Sequence, residues 1–168
     1  QTVGWVAPQD GLLVRDLDMD GLIDDGRELF GSSTRLSNGN VAQDGYQALK
    51  DLDSNADNVL DAQDTSFASL QVWVDADTDG VTDAGELKSL SELQIQSLDL
   101  QAQASQRTDQ GNLVGLVSGY QTQDGATHEM ADVWLQVSEW PLSTVNQLTQ
   151  ALAELSEQAD AGPTQVKL

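Results

Sequence analysis

The sequence contains no cysteine, few basic residues and no long apolar run. Without cysteine it can form neither a disulfide bond nor a thiolate zinc site, and this composition fits a secreted bacterial protein. Only 7 Lys and Arg stand against 28 Asp and Glu, giving a net charge of −21 that argues against nucleic acid or anionic membrane surfaces as partners. No apolar run approaches the ~20 residues of a spanning helix, so we expect no membrane insertion.

The length of 168 residues fits one domain with an appendage. We expect a module over residues 1–142, followed by a C-terminal helix and tail over 143–168. We also expect a monomer that is a piece of a longer protein, with the neighbouring domains of that protein as its partners. Because an excess of negative charge destabilises a compact state, the fold is expected to need cations.

The most specific pattern lies at residues 75–86, which match a twelve-residue EF-hand calcium loop. Calcium takes roughly six to eight oxygen ligands, which such a loop supplies from positions 1, 3, 5, 7, 9 and 12, position 7 through its backbone carbonyl. Gly80 at position 6 makes the sharp turn. The predicted ligands are Asp75, Asp77, Asp79, the Val81 carbonyl, Asp83 and Glu86.

Residues 53–64 form a second loop of the same length. Asn58 replaces glycine at position 6, where it tolerates a left-handed backbone better than most residues. Asp64 closes the loop with a side chain one methylene shorter than Glu. The predicted ligands are Asp53, Asn55, Asp57, the Val59 carbonyl, Asp61 and Asp64.

A third acidic loop, residues 16–28, is one residue too long. Arg27 stands at position 12 and the acid arrives at Glu28, so we expect Gly26 to let the backbone absorb the extra residue. The predicted ligands are Asp16, Asp18, Asp20, the Leu22 carbonyl, Asp24 and Glu28. The three loops together predict two to three bound calcium ions.

The remaining pattern predicts an α+β fold of EF-hand-like loops with short helices. Helices are expected from an Asp44 cap to Leu52, over 65–74 and over 85–90. They are followed by a strand near 93–100 with a bulge or bend at Ser97, and by a hairpin of 112–120 with 127–137. A C-terminal helix is expected over 143–158.

The spacing of the loops predicts how they pair. Loops 53–64 and 75–86 are separated by a helix of about ten residues, or about 15 Å, which would hold them at its opposite ends. Loops 16–28 and 53–64 are therefore expected to lie side by side, with Ile23 opposite Leu60.

Several short motifs together resemble one family. They are GWVAP at 4–8, DGLLV at 10–14, ELFG at 28–31, GYQAL at 45–49, VW at 72–73 and ADVW at 131–134. The chain resembles the EF-hand-containing modules of large secreted bacterial RTX proteins over residues 2–137. Among these, it is similar to the self-processing module of the iron-regulated RTX proteins.

The resemblance implies type I secretion, a secreted or cell-surface location, and folding triggered by extracellular calcium. In self-processing members, calcium also drives cleavage of an Asp-Pro bond at the N-terminal edge of the module. The prolines of this chain follow Ala7, Trp140 and Gly162, so no Asp-Pro bond is present and the chain alone is not expected to be an enzyme.

The preferred interpretation is a calcium-binding module of a toxin or adhesin. The alternatives are a self-processing module whose cleavage site lies upstream, a calcium sensor that exposes an apolar groove, and a spacer stiffened by calcium. His128 is expected on the surface of a hairpin, and Trp73 and Trp134 in the core. The apolar stripe at 145–155 is expected to pack on its own domain, although it could instead bind a partner helix.

Overall fold

The structure is a computed structural model that describes residues 6–109 and 111–134. Within these residues it contains one α-helix, two 3-10 helices and eight strands. No helix in this part of the chain is long and apolar enough to cross a membrane. The elements are β1 (Leu12–Val14), a 3-10 helix (Gly26–Glu28), α1 (Gly45–Lys50), β2 (Val59–Asp61), a 3-10 helix (Phe67–Ser69), β3 (Gln71–Trp73), β4 (Leu87–Ser89), β5 (Ile95–Asp99), β6 (Gln103–Asp109), β7 (Asn112–Thr122) and β8 (Thr127–Trp134).

A small antiparallel sheet has the strand order β1-β3-β4. Leu12 pairs with Trp73 across β1 and β3, and Trp73 pairs with Leu87 across β3 and β4. Strand β4 therefore returns directly beside β3, and residues 75–86 are the connection of this hairpin. Residues 16–28 are held in the same way, because Val14 forms a β-bridge with Leu29.

A larger antiparallel sheet has the order β2-β5-β7-β6, with β8 on the other edge of β7. The register of β5 against β7 shifts between Ile95 and Ser97, which confirms the predicted irregularity at Ser97. The β7–β8 hairpin is also confirmed, with the Gly125 amide donating to the Thr122 carbonyl at 2.9 Å. Strand β6 has no counterpart among the sequence predictions.

The predicted helix at 44–52 is confirmed as α1. The Asp44 side chain caps it by accepting a hydrogen bond of 2.7 Å from the Gln47 amide. Buried Tyr46 fixes the helix to the larger sheet, because its hydroxyl donates to the Met130 carbonyl at 2.8 Å and lies 3.0 Å from Ser118 Oγ. This helix therefore anchors on β7 and β8.

Two apolar clusters form the described core. The larger contains Leu49, Leu60, Leu70, Leu90, Ile95, Leu98 and Leu100. The smaller contains Val14, Ile23 and Trp73, with Leu12, Leu29 and Leu87 packed against it. Ile23 belongs to loop 16–28, so the smaller cluster ties that loop to the small sheet.

The expected α+β fold of EF-hand-like loops flanked by helices is wrong. Of the residues that the structure describes, 36% are strand and 9% helical, in two antiparallel sheets. The expected helix at 65–74 is one 3-10 turn followed by β3, and the expected helix at 85–90 is β4. Residues 71–73 form a strand and not a helix because β3 has a hydrogen-bonded partner on each edge: Val72 pairs with Leu13 of β1 and with Lys88 of β4. The expected C-terminal helix, the segment 143–168 and the 145–155 stripe lie outside the described residues.

Candidate metal centres

The first aspartate of each acidic loop organises the backbone in the same way. Asp16 accepts hydrogen bonds from the amides of Met19 (2.6 Å) and Gly21 (2.9 Å), which are loop positions 4 and 6. Asp53 accepts from positions 4 and 6 of its own loop at 2.8 and 2.9 Å, and Asp75 accepts from positions 5 and 6 at 3.2 and 2.9 Å. Three separate segments therefore follow one backbone path.

The backbone angles repeat as well. Positions 4 and 6 have positive φ in all three loops, in the pairs Met19 and Gly21, Ala56 and Asn58, and Thr78 and Gly80, with values between 59° and 84°. The expected left-handed conformation of Asn58 is confirmed, with φ of 66°. A positive φ costs a residue other than glycine about 1–2 kcal/mol. In the first two loops the hydrogen bonds from the Met19 and Ala56 amides to the first aspartate help to offset this strain at position 4.

The aspartate at position 5 accepts a hydrogen bond from the amide of position 7 in all three loops. Asp20, Asp57 and Asp79 each accept a bond of 2.8 Å from the amide of position 7, which belongs to Leu22, Val59 and Val81 respectively. Leu22 and Val81 are exposed, and Val59 lies in β2. The Leu22, Val59 and Val81 carbonyls remain predicted ligands.

The acid that ends each loop, called here the closing acid, bridges positions 2 and 9. Glu86 accepts from the amides of Ala76 (2.9 Å) and Asp83 (3.1 Å), and Asp64 accepts from Ser54 (2.7 Å) and Asp61 (3.0 Å). The shorter Asp64 side chain thus reaches the same two positions as a glutamate.

Glu28 accepts hydrogen bonds from the same two loop positions, although it stands at position 13 of its loop and not at position 12. It accepts from the amides of Leu17 (2.9 Å) and Asp24 (3.1 Å), again positions 2 and 9, and is 3% exposed. The extra residue is absorbed in the 3-10 helix Gly26–Glu28, which Asp25 caps. Arg27 points away to pair with Asp25 at 2.6 Å, both side chains being exposed. The closing geometry of the long loop therefore matches that of the other two.

Carboxylate oxygens gather in two of the three loops. Three groups have their oxygens within 4.8 Å of one another, namely Asp16 with Asp18 and Asp20, Asp75 with Asp77 and Glu86, and Asp77 with Asp79 and Asp83. Among the described residues no such group falls in loop 53–64, whose position 3 is the amide Asn55. Asp24, Asp53, Asp57, Asp61 and Asp64 belong to none of these groups.

The loops do not pair as the spacing predicted. Ile23, at position 8 of loop 16–28, lies beside Thr82 at position 8 of loop 75–86, with its amide 2.9 Å from Thr82 Oγ1. Leu60 instead pairs with Leu98 across β2 and β5. The prediction failed because it assumed a helix between loops 53–64 and 75–86, whereas β3 there pairs with β1 and brings the first and third loops together.

Comparison with known proteins shows the family of the chain. The SPM domain model matches residues 1–136. The chain belongs to the SPM domain family. It is 47% identical over 133 residues to the iron-regulated protein FrpA of Neisseria meningitidis serogroup C, a match that covers 79% of this chain and 12% of that protein. The match thus spans a small part of that protein, and the chain is an FrpA-like SPM domain.

In loops 16–28 and 75–86 of the SPM domain, the carboxyl group at position 3 has a raised pKa. For both Asp18 and Asp77 the largest cause is partial removal from water. Repulsion from nearby carboxylates adds to it, mainly from Asp20 beside Asp18 and from Asp79 beside Asp77. The pKa of Glu86 is lowered by hydrogen bonds from the Asp83 amide and the Trp73 ring. Loop 75–86 therefore holds a closing carboxylate, Glu86, whose ionised form is stabilised, beside Asp77, whose ionised form is destabilised.

The residues of the SPM domain loops fit a hard cation. Calcium binds oxygen at about 2.3–2.6 Å, so two ligands on opposite sides of one ion are about 5 Å apart, close to the spacing of the carboxylate groups. The three loops contain neither His nor Cys, the ligands that softer metals prefer. Carboxylates that raise each other's pKa are also stabilised by a positive ion placed among them.

Three polar contacts of the acidic loops in the SPM domain were not predicted from the sequence. Trp73 Nε1 donates to Glu86 at 3.1 Å, Ser54 Oγ donates to Asp64 at 2.9 Å, and Thr82 joins two loops. Trp73 is in the core as expected, whereas Trp134 is 54% exposed and the prediction of a core position was wrong. His128 is exposed and stacks on Tyr120 in the β7–β8 hairpin, in agreement with its expected surface position.

Proposed function

We propose that this SPM domain binds two to three calcium ions through loops 16–28, 53–64 and 75–86. The observation that carries the proposal is the repeated hydrogen-bond pattern of the loops. In each, position 1 orders the amides of the turn and a closing acid bridges positions 2 and 9, even where the closing acid is displaced to Glu28. Independent acidic turns have no reason to share this pattern.

The chemistry that calcium would supply is charge compensation and oxygen coordination. Three divalent ions would bring the formal net charge from −21 to −15. The ion would be held by the side-chain oxygens at positions 1, 3, 5 and 9, by the backbone carbonyl of position 7 and by the closing acid; position 3 is a carboxylate in two loops and the amide Asn55 in loop 53–64. In loops 16–28 and 75–86 the chain's own contribution is to hold carboxylate oxygens within 4.8 Å of one another before the ion arrives, which lowers the ordering cost of binding.

Calcium that binds the folded loops and hardly the unfolded chain stabilises the fold by linkage. For a Kd near 10⁻⁴ M and ~2 mM free calcium, each site contributes about 1.8 kcal/mol. We infer that the module belongs to a secreted or cell-surface bacterial protein of the RTX type, such as a toxin or adhesin. It would be loose and exportable where calcium is scarce and ordered where calcium is abundant.

The test is a calcium titration of the 168-residue chain. Isothermal calorimetry should count two to three ions, and thermal unfolding followed by circular dichroism should shift upward with calcium. Asp75→Asn and Asp53→Asn should each remove one site, and Asp109→Asn, an exposed acid of β6, is the matched control for lost charge. Fewer than two sites, or no gain in stability, would refute the proposal.

Calcium-dependent self-processing is a second candidate, favoured by the match to the SPM domain model and to FrpA. Because this chain contains no Asp-Pro bond, the cleaved bond would have to lie in a preceding segment. The chain should be expressed with its native upstream segment and exposed to calcium. Mass spectrometry of two fragments divided at an Asp-Pro bond would support this function, and an intact chain at saturating calcium would exclude it.

A further inference from the structure

Two of the acidic loops are joined by one buried side chain. The Ile23 amide donates to Thr82 Oγ1 at 2.9 Å, and the same hydroxyl donates to the Ile23 carbonyl at 3.4 Å. Ile23 is 6% exposed and Thr82 8% exposed, so these hydrogen bonds are shielded from water. A single hydroxyl therefore satisfies both backbone groups of a residue 59 positions away.

The junction lies between predicted ligands in both loops. Ile23 stands between Leu22 and Asp24, and Thr82 stands between Val81 and Asp83. These neighbours occupy positions 7 and 9 of their loops. Any ordering of positions 7 to 9 in one loop must therefore act on positions 7 to 9 of the other through the shared hydrogen bonds.

A second contact path supports the first. Ile23 packs in the same cluster as Val14 and Trp73, and Trp73 Nε1 donates to the closing acid Glu86. Strands β1 and β3, which enter the two loops, are paired in antiparallel register. The two loops thus share a sheet, an apolar cluster and a hydrogen-bonded junction.

Loop 53–64 is attached elsewhere. Its position 8 residue, Leu60, is fully buried in the larger cluster and pairs with Leu98 of β5. Its position 7 to 9 segment is β2, an edge strand of the larger sheet. The three loops therefore divide into a joined pair and a separate loop.

We propose that loops 16–28 and 75–86 bind calcium with positive cooperativity, that Thr82 is the positioning residue that couples them, and that loop 53–64 binds independently. This inference rests on the proposed calcium-binding function. When calcium orders one loop of the pair, the other loop is already partly ordered and loses less conformational entropy on binding its own ion. This difference is sufficient for cooperativity without a large structural change. Coupling of this kind changes affinity by about fivefold or more, equally in both directions.

The test is a calcium titration resolved loop by loop. Each loop has a backbone amide that donates to its first aspartate, at Gly21, Asn58 and Gly80. These amides report the occupancy of their own loops in ¹H–¹⁵N spectra. In Asp16→Asn the Kd read at Gly80 should rise about fivefold or more, while the Kd read at Asn58 stays unchanged.

Three variants separate coupling from loss of charge and test the role of Thr82. Asp53→Asn removes the same charge from the separate loop and should leave the Kd at Gly80 unchanged. Thr82→Val keeps the shape but removes the hydroxyl, so in that background Asp16→Asn should raise the Kd at Gly80 by less than it does in the parent, with the shared sheet and apolar cluster supplying any coupling that remains. Thr82→Ser keeps the hydroxyl and should preserve the coupling.

The outcomes distinguish the two proposals. If none of the three amides responds to calcium, the proposed function itself fails. If all respond but Asp16→Asn leaves the Kd at Gly80 unchanged, calcium binding stands and the coupling is refuted. If Thr82→Val retains full coupling, the assignment to Thr82 is refuted. Should Thr82→Val not fold, the comparison of Asp16→Asn with Asp53→Asn still decides whether the loops are coupled.

Discussion

Replacing Glu28 with glutamine tests whether this displaced closing acid stabilises loop 16–28 and is needed for its calcium site. Its two carboxylate oxygens accept three hydrogen bonds, one from the Leu17 amide at 2.9 Å and two from the amides of Asp24 and Asp25 at 3.1 and 3.2 Å. Glutamine has only one acceptor oxygen. If that oxygen keeps the bonds to Asp24 and Asp25, the Leu17 amide faces an NH₂ group and loses its acceptor.

The magnitude follows from these contacts. Hydrogen bonds to a charged group contribute about 1.5–3 kcal/mol each, and one of the three is lost while the others become bonds to a neutral acceptor. Relief of repulsion from the neighbouring loop carboxylates offsets part of the loss. We expect the free energy of unfolding without calcium to fall by about 2 kcal/mol. With calcium, the site in loop 16–28 should be lost or strongly weakened.

The assay is urea denaturation in a chelator, paired with a calorimetric calcium titration. Arg27→Gln is the matched control, because Arg27 stands at the usual closing position but its side chain is 73% exposed and pairs only with Asp25 among the described ion pairs. Exposed pairs contribute about 0–1 kcal/mol, so this variant should remain close to the parent and keep every site. Equal losses in the two variants, or unchanged stability and calcium stoichiometry in Glu28→Gln, would refute the reasoning.

Three further predictions concern the scaffold, each measured by chemical denaturation. Leu60→Ala leaves a cavity in the larger cluster and should cost about 2–5 kcal/mol, with Leu17→Ala, a half-exposed site, as the control. Tyr46→Phe removes the hydroxyl bonded to Met130 and should cost about 1 kcal/mol; no loss would contradict the anchoring of α1. Burial raises the pKa of Asp132, so its ionised form is unfavourable in the folded state and it contributes stability only as pH falls through that pKa. Asp132→Asn should therefore exceed the parent near neutral pH and lose this advantage in acid, whereas a constant difference across pH would contradict the assignment.

Local features were predictable because local chemistry determines them. Asp44 caps α1 because a carboxylate satisfies the free amides at a helix start wherever the helix packs. Asn58 adopts a positive φ, and Thr122 and Gly125 close the β7–β8 turn, for equally local reasons. The spacing of the acids also located three segments that share one hydrogen-bond pattern, with Glu28 accepting from the amides of positions 2 and 9. Calcium binding by these residues stays a prediction.

The elements beside the loops were not predictable from periodicity. Strands β3 and β4 have three residues each, too short to show a period of two. Phe67, Leu70 and Trp73 happen to follow helical spacing, although Leu70 and Trp73 are buried in different clusters. Strand β6 is largely exposed and polar, so it lacks the alternation that marks a half-buried strand. Whether these segments form strands depends on partner strands that are distant in sequence.

If the paired loops bind calcium as proposed, the strands that flank them favour a stabilising module over a calcium sensor. A sensor EF-hand works by changing the angle between the two helices that flank its loop. Here the ends of loop 16–28 are joined by the Val14–Leu29 bridge and those of loop 75–86 by the pairing of Trp73 with Leu87. A β-ladder fixes the register of both strands and offers no second packing angle. Calcium bound in such a loop can strengthen the ladder but has no helix pair to open within the described residues, which favours stabilisation over exposure of an apolar groove.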